Sequence, residues 1–258
     1  MVKFIKTLLF IHIAFLSFST PLESQAVTWK LVDYIIDGDT FVTDDGSSVR
    51  LLGINAPEVG RNGDKSEAFA DKARLKLTQL IFNQRVKLTF GERHKDRYGR
   101  ILAHAYKENG EWINGTLIDE GLAHVYSFPD NRQLTLELIK KENIARQNRK
   151  GLWSHPRWNI HTDVTAIKDS DIGQFNIFEG FIHNIKTVRK KTYINFGANW
   201  REDFTVEIPE RFYTLFEQSN IDIKTFYTGK KLQVRGVFKP VNGVLVTATH
   251  PEQLTILD

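Results

Sequence analysis

The sequence predicts a mainly β fold with interspersed helices, of the α+β class, arranged as two successive domains. Three observations carry that reading. Short runs rich in apolar and β-branched residues recur along the chain, the first of them separated by Asp-Gly turns. Apolar stripes at helical spacing fall between those runs. Around Pro156 an apolar-poor stretch interrupts the pattern, which then begins again.

Trp29–Ile36 reads as a strand, Asp37-Gly38 as a tight turn and Thr40–Thr43 as the returning strand. Asp44-Asp45-Gly46 turns the chain into a third strand, Ser48–Ile54. Asp64 and Glu67 have capping-box spacing, and Phe69, Ala73, Leu77 and Leu80 follow as one apolar helical stripe. Arg85–Phe90 and Arg100–Lys107 are expected as strands joined by a polar loop, Gly91–Gly99. Asn114 is expected to cap a short helix ending at Gly121, and a longer helix runs from Asn131 to Lys150.

Residues 159–172 read as a linker. Beyond it, 173–258 offers strands at Phe175–Lys186, Thr192–Phe196 and Phe204–Ile208, a helix at Glu210–Ser219, and strands at Lys231–Phe238 and Gly243–Thr249. Three strands, a helix and two strands is the order of an OB-fold, so a second OB-fold-like β-barrel is expected there.

The chain has 258 residues, 41% hydrophobic and 26% charged, with a formal charge of +4 that favours polyanionic partners. Cysteine is absent, which excludes disulfides, zinc–thiolate centres and cysteine nucleophiles. Lys3 and Lys6, the apolar run Leu8–Phe18 and the sequence Ser24-Gln25-Ala26 form the pattern of a cleavable signal peptide over 1–26. The apolar run is shorter than the roughly 20 residues that span a bilayer. The expected product is a secreted or periplasmic monomer with no membrane anchor. Its domains would be 27–158 and 173–258.

Three segments of the first domain have the composition of a phosphodiester-cleaving site: Asp37-Gly38-Asp39-Thr40, Arg50 leading into Asn55-Ala56-Pro57-Glu58, and Asp96-Arg97-Tyr98-Gly99-Arg100. Such chemistry needs a cation near a non-bridging oxygen, a base for water and fixed positive charge on the transition state. Asp39 offers a hard oxygen ligand, Glu58 a base, and Arg50 and Arg100 two guanidinium forks. Taken singly, Asp39 is explained as a turn residue, Glu58 as a surface charge and each arginine as a solvated strand end.

In order, spacing and residue type these segments resemble the staphylococcal nuclease (thermonuclease) family, from about Trp29 to Trp153. The resemblance implies an OB-type five-stranded barrel with helices and a Ca2+-dependent nuclease acting on DNA and RNA. It would cleave at the 5′-oxygen and leave 3′-phosphate ends. It makes Asp39 the principal Ca2+ ligand, Ala56 a backbone-carbonyl ligand and Glu58 the group that activates water. Arg50 would bridge phosphate and Glu58, and Arg100 would stabilise the leaving oxygen. Asn55 stands where the family carries Asp, so it brings an oxygen without charge. Either it serves as a neutral ligand or the chain is a catalytically impaired nucleic-acid-binding protein on the same barrel.

Further nucleic-acid contacts are expected at Arg97 and Tyr98, beside Arg100. Tyr126 is either a core aromatic or a base-stacking ring. Lys186, Arg189, Lys190, Lys191 and Tyr193 in the second domain are either a solvated charge run or a strand-binding patch.

Overall fold

The computed structural model describes residues 28–61 and 63–257; the expected signal peptide lies outside them. The chain opens with β1 (Thr28–Asp37), β2 (Thr40–Thr43) and β3 (Ser48–Leu51), and a short β4 (Ile54–Asn55) follows. The single strand expected over Ser48–Ile54 breaks at Gly53, whose φ of +73° favours glycine. Next come α1 (Ala70–Ile81), β5 (Arg85–Lys95), β6 (Ile101–Tyr106), α2 (Ile113–Asp119), β7 (His124–Val125) and α3 (Thr135–Gln147). Strands β1, β2, β3, β6 and β5 close a barrel in that order, with β3 and β6 parallel. A separate pair, β4–β7, sits beside it.

Pattern and packing agree in α1, where Ala70, Ala73, Leu77, Leu80 and Ile81 are buried. Its expected cap is not used: α1 starts after Phe69, and the Glu67 carboxylate instead accepts from Glu58 N–H at 3.0 Å. Asn114 lies inside α2, not at its start. Its amide donates to the Leu52 carbonyl at 2.9 Å and accepts from Ala105 N–H at 3.0 Å, tying the helix to the barrel. β5 continues through Gly91–Lys95, a stretch expected as loop. Phe41, Val49, Leu51, Leu77, Leu88 and Leu117 belong to the barrel core.

The second half contains β8 (Phe175–Phe181), β9 (Asn184–Val188), β10 (Lys191–Asn195), β11 (Phe204–Pro209), α4 (Tyr213–Glu217), α5 (Ile223–Phe226), β12 (Lys231–Val237), β13 (Val244–Thr247) and β14 (Leu254–Leu257). The strand expected over Phe175–Lys186 is therefore two, and β14 adds a further one. These strands form two sheets, β13-β11-β10-β9 and β14-β12-β8, around a core that includes Phe178, Phe204, Phe216, Leu232 and Phe238. Val164, Ile167 and Ile172, in the segment read as linker, pack against that core.

The halves meet through buried polar contacts. Arg235 of β12 reaches Glu142 of α3 at 2.6 Å, with side-chain exposures of 2% and 0%. Ser127 is 2.7 Å from His250, and Arg132 is 3.1 Å from Glu252. Glu142 also accepts from Val125 N–H at 2.6 Å, so the partner half bears on the strand paired with β4. Burial alone would raise the Glu142 carboxyl; Arg235, the Val125 N–H and Arg146 outweigh it and hold the group below its ordinary range.

Candidate active site

Strand register brings the three segments to one rim of the barrel. Thr40 pairs with Arg50 across β2–β3, and Arg50 pairs with Leu102 across β3–β6. Arg100 lies two residues before Leu102, at the entry to β6. Asn55 pairs with His124.

The turn between β1 and β2 is unusually constrained. Gly38 does not have positive φ. A Cβ there would lie 2.5 Å from Ala73 Cβ and 2.7 Å from Ala56 Cβ, so the glycine is required by close approach. The turn is thereby pressed between α1 and the chain at Ala56, and both acids that flank it are buried.

Asp39 is only 2% exposed. One carboxylate oxygen accepts from Ala56 N–H at 2.6 Å and faces Arg50 at 3.0 Å; the other accepts from the Thr40 hydroxyl at 3.0 Å. Its own N–H donates to Asp37 at 3.1 Å. Burial pushes the Asp39 carboxyl up to about 7; Arg50 opposes this and Asp37 adds to it. Asp37 was not among the sequence-derived site residues. The signal for it was the acid at the other end of the same Asp-Gly-Asp turn.

Arg50 is clamped by the Leu51 and Ile54 carbonyls, both at 3.0 Å, by Asp39 and by Asn55 Oδ1 at 2.8 Å. A guanidinium only donates, so the Asn55 atom facing it is an oxygen. Asn55 Nδ2 in turn donates to the Ala56 carbonyl at 3.3 Å. The guanidinium contacts are thus with Asp39, Asn55 and backbone, where the resemblance implied Glu58.

Glu58 is exposed and stands next to Pro57. Partial desolvation raises its carboxyl above the ordinary range, reinforced by Asp37 and Glu67 and opposed by Arg50 and Arg61. Arg100 is held by Asp96, with Nε donating at 2.7 Å and the backbone N–H at 3.0 Å. Burial works against the Asp96 charge, but the Arg100 contacts and Tyr98 N–H keep its carboxyl below the usual range. Arg97 and Tyr98 are exposed on the same turn, the guanidinium 4.7 Å from the ring centroid.

Asp37 and Asp39 are both buried at this turn and Arg50 faces Asp39, an acidic setting that suits a hard divalent ion. The Asp39 carboxylate, Asn55 Oδ1 and the Ala56 carbonyl are the oxygens that could hold it. With such an ion the rim could polarise a phosphodiester, use Glu58 to take a proton from water and meet developing charge with two guanidinium groups.

Tyr126 is half-buried, its N–H donating to the Gly53 carbonyl at 3.0 Å and its ring edge-on to Phe128 and Phe175. Lys186 lies in β9 and Lys191 and Tyr193 in β10, while Arg189 and Lys190 form the hairpin tip between them. Lys190 and Lys191 face Glu210 and Glu207, at 3.4 and 2.8 Å. These residues sit on the second half, apart from the barrel rim.

A closed five-stranded barrel bearing this acid–arginine rim defines an SNase-type OB barrel. The family profile described as staphylococcal nuclease homologue matches residues 48–155, and the chain belongs to that family. It is similar to the thermonuclease of Staphylococcus intermedius, 32% identical over 126 residues that cover 48% of this chain and 74% of that protein. It is 36% identical over 133 residues to a micrococcal nuclease of Shigella flexneri, covering 47% of this chain and 71% of that protein. An uncharacterized endonuclease of Escherichia coli is 32% identical over 155 residues, 59% of this chain and 90% of that protein. The profile begins after Asp39 and ends before the second half.

Proposed function

We propose that this chain is an exported, Ca2+-dependent nuclease that hydrolyses phosphodiester bonds of DNA and RNA at the 5′-oxygen, leaving 3′-phosphate ends. The observation that carries the reading is the convergence of Asp39, Asn55, Ala56, Glu58, Arg50 and Arg100 at one end of the barrel. A bound divalent ion would withdraw charge from a non-bridging phosphate oxygen. Glu58 takes a proton from the water that attacks phosphorus. Arg50, fixed by two carbonyls and Asp39, presents positive charge to the phosphate without a cost in reorientation. Arg100, steadied by Asp96, meets the charge that builds on the departing 5′-oxygen, which takes a proton from solvent and leaves as a hydroxyl. Chemistry belongs to residues 27–158; the hairpin bearing Lys186, Arg189, Lys190, Lys191 and Tyr193 helps to hold the strand.

The test is incubation of the purified chain with a short single-stranded DNA and its RNA counterpart, with Ca2+ or with chelator. Cleavage only with Ca2+, giving products whose 3′ ends lose phosphate to a phosphatase, is expected. Cleavage unaffected by chelator, or products with 5′-phosphate, overturns the mechanism. One observation favours a second reading: the Asn55 oxygen is already engaged by Arg50. If that engagement persists, the chain binds strands and does not cut them, and the same incubation shows retention without products.

A further inference from the structure

Beside the rim lies a cavity of about 640 Å3 that neither half encloses alone. Asn55, Pro57 and Tyr126 line it from the barrel side, Trp158 from the segment after α3, and Gln174 and Phe175 from the start of the second half. Its volume is within the range of small-molecule sites, roughly 300–1,000 Å3. Asn55 and Pro57 flank Ala56 in sequence and Pro57 precedes Glu58, so the cavity shares Asn55 with the rim.

The wall is built, not incidental. Phe175 stacks on His124 with centroids 4.1 Å apart and planes 25° off parallel, and Trp158 leans on the same imidazole at 4.9 Å. Arg157 fixes the junction by donating to Asn176 Oδ1 at 2.7 Å and to the Phe175 carbonyl at 3.0 Å. Those bonds use two of the five guanidinium N–H donors, and the Arg157 charge is matched in the lining by the Glu67 carboxylate. The remaining lining is aromatic, aliphatic and amide, with the His155 imidazole and the Ser170 hydroxyl. Such a surface recommends a flat, uncharged group with hydrogen-bonding edges over a phosphate.

We infer that this cavity is the subsite for the nucleobase next to the scissile phosphate, and that the second half of the chain, through Gln174 and Phe175, completes it. The inference rests on the nuclease reading, and names which part of the substrate the rim's neighbour takes. Tyr126, Trp158 and Phe175 supply the apolar faces and edges, and the exposed Gln174 amide at the mouth supplies donor and acceptor for a base edge. Substrate selection is thereby divided between the halves: the barrel binds phosphate, and the junction binds the base.

Two measurements on the full chain test this. The first needs no turnover: Trp fluorescence is titrated in chelator with a dithymidine methylphosphonate, whose linkage is uncleavable and uncharged, and with its two singly abasic analogues. Quenching by the intact dinucleotide, its loss in Trp158→Phe, and a loss of affinity of roughly tenfold for one abasic analogue are expected. The second compares cleavage of a short DNA with strands made abasic on either side of the target phosphate. Phe175→Ala should raise KM about tenfold on the intact strand with kcat little changed, and should have no effect on one of the two abasic strands. Gln174→Ala, at an exposed position that does not threaten folding, should show the same base dependence at smaller size. No quenching by the dinucleotide, or variant effects equal on intact and both abasic strands, overturns the subsite. Absence of any cleavage by the wild type, with quenching intact, would instead remove the nuclease reading and leave the pocket.

Discussion

Arg235→Met isolates the contact that joins the two halves. Glu142 would remain fully buried with the Val125 N–H as its closest partner, because the guanidinium now 2.6 Å away is gone. Two unit charges about 4 Å apart attract by about 4 kcal/mol at an effective dielectric near 20. Removing one member of a buried pair costs about 3–5 kcal/mol, since the survivor keeps its desolvation penalty. For a chain of this size that corresponds to a fall in Tm of roughly 6–20 °C. Urea and thermal unfolding of wild type and variant measure it. Pairing Arg235→Met with Glu142→Gln removes the stranded charge and keeps an oxygen for Val125 N–H, so the double variant should regain all but about 2 kcal/mol. A single variant within about 1 kcal/mol of wild type, or a double variant no better than the single, would refute the reasoning.

Replacing Arg50 or Arg100 with Lys removes a bidentate contact; kcat should fall roughly a hundredfold to a thousandfold, about 2.7–4 kcal/mol, with KM moving less. A rate within a few-fold of wild type would take that arginine out of the mechanism. Asn55→Asp keeps the oxygen facing Arg50 and adds a charge beside Asp39, so calorimetry should show Ca2+ binding about tenfold tighter or better. Equal affinity in the two proteins would place the ion elsewhere. Stability should also fall with acid before most carboxylates titrate. Asp39, raised to about 7, takes up a proton in the native state over the same range and offsets part of the loss. Burial lowers His104 and His124 from 6.5 to about 4, and His250 to about 3, so the unfolded chain takes up protons that the native chain refuses. Stability present above pH 6.5 is lost as pH falls from 6.5 towards 4, at up to about 1.4 kcal/mol per pH unit for each histidine. Urea midpoints at pH 7 and 5 should differ markedly, and His250→Gln should shrink the difference; a flat profile would contradict these shifts.

Strand periodicity and turn chemistry were enough to find most of the barrel's strands, because apolar residues recur in them and the first turns use Asp and Gly; closure into a barrel was implied by the resemblance. What they missed depends on partners distant in sequence. Glu92–Lys95 is charged and exposed, so nothing in its composition marks it as the continuation of β5. Glu67 has the right spacing for a cap but serves the Glu58 N–H across the intervening loop. Asn114 looks like a cap because Asn favours that position, whereas its amide bridges two barrel carbonyl and N–H groups. Asp39, Glu58, Arg50 and Arg100 were singled out from spacing and family resemblance. Arg50's engagement with Asn55 was not, since it requires the positions of both side chains. Nor was Arg235, a lone strand arginine whose partner lies 93 residues earlier.

Gly38, Ala56 and Ala73 converge where the two turn acids sit, and their side chains are a hydrogen and two methyl groups. No volume remains to be removed without new glycines, so mutation can only pry this corner apart. Any side chain at Gly38 would shift helix and loop together, moving Asp39 and Ala56 by amounts that an ion with fixed ligand distances would register at once. Tolerance to asparagine, the usual understudy for glycine in turns, offers no relief here, because the limit is space and not torsion. A screen for lost activity would therefore score Gly38 beside Asp39, although it donates nothing to the ion. Ala73→Gly would free only the helix side, and Ala56 would still stand in the way.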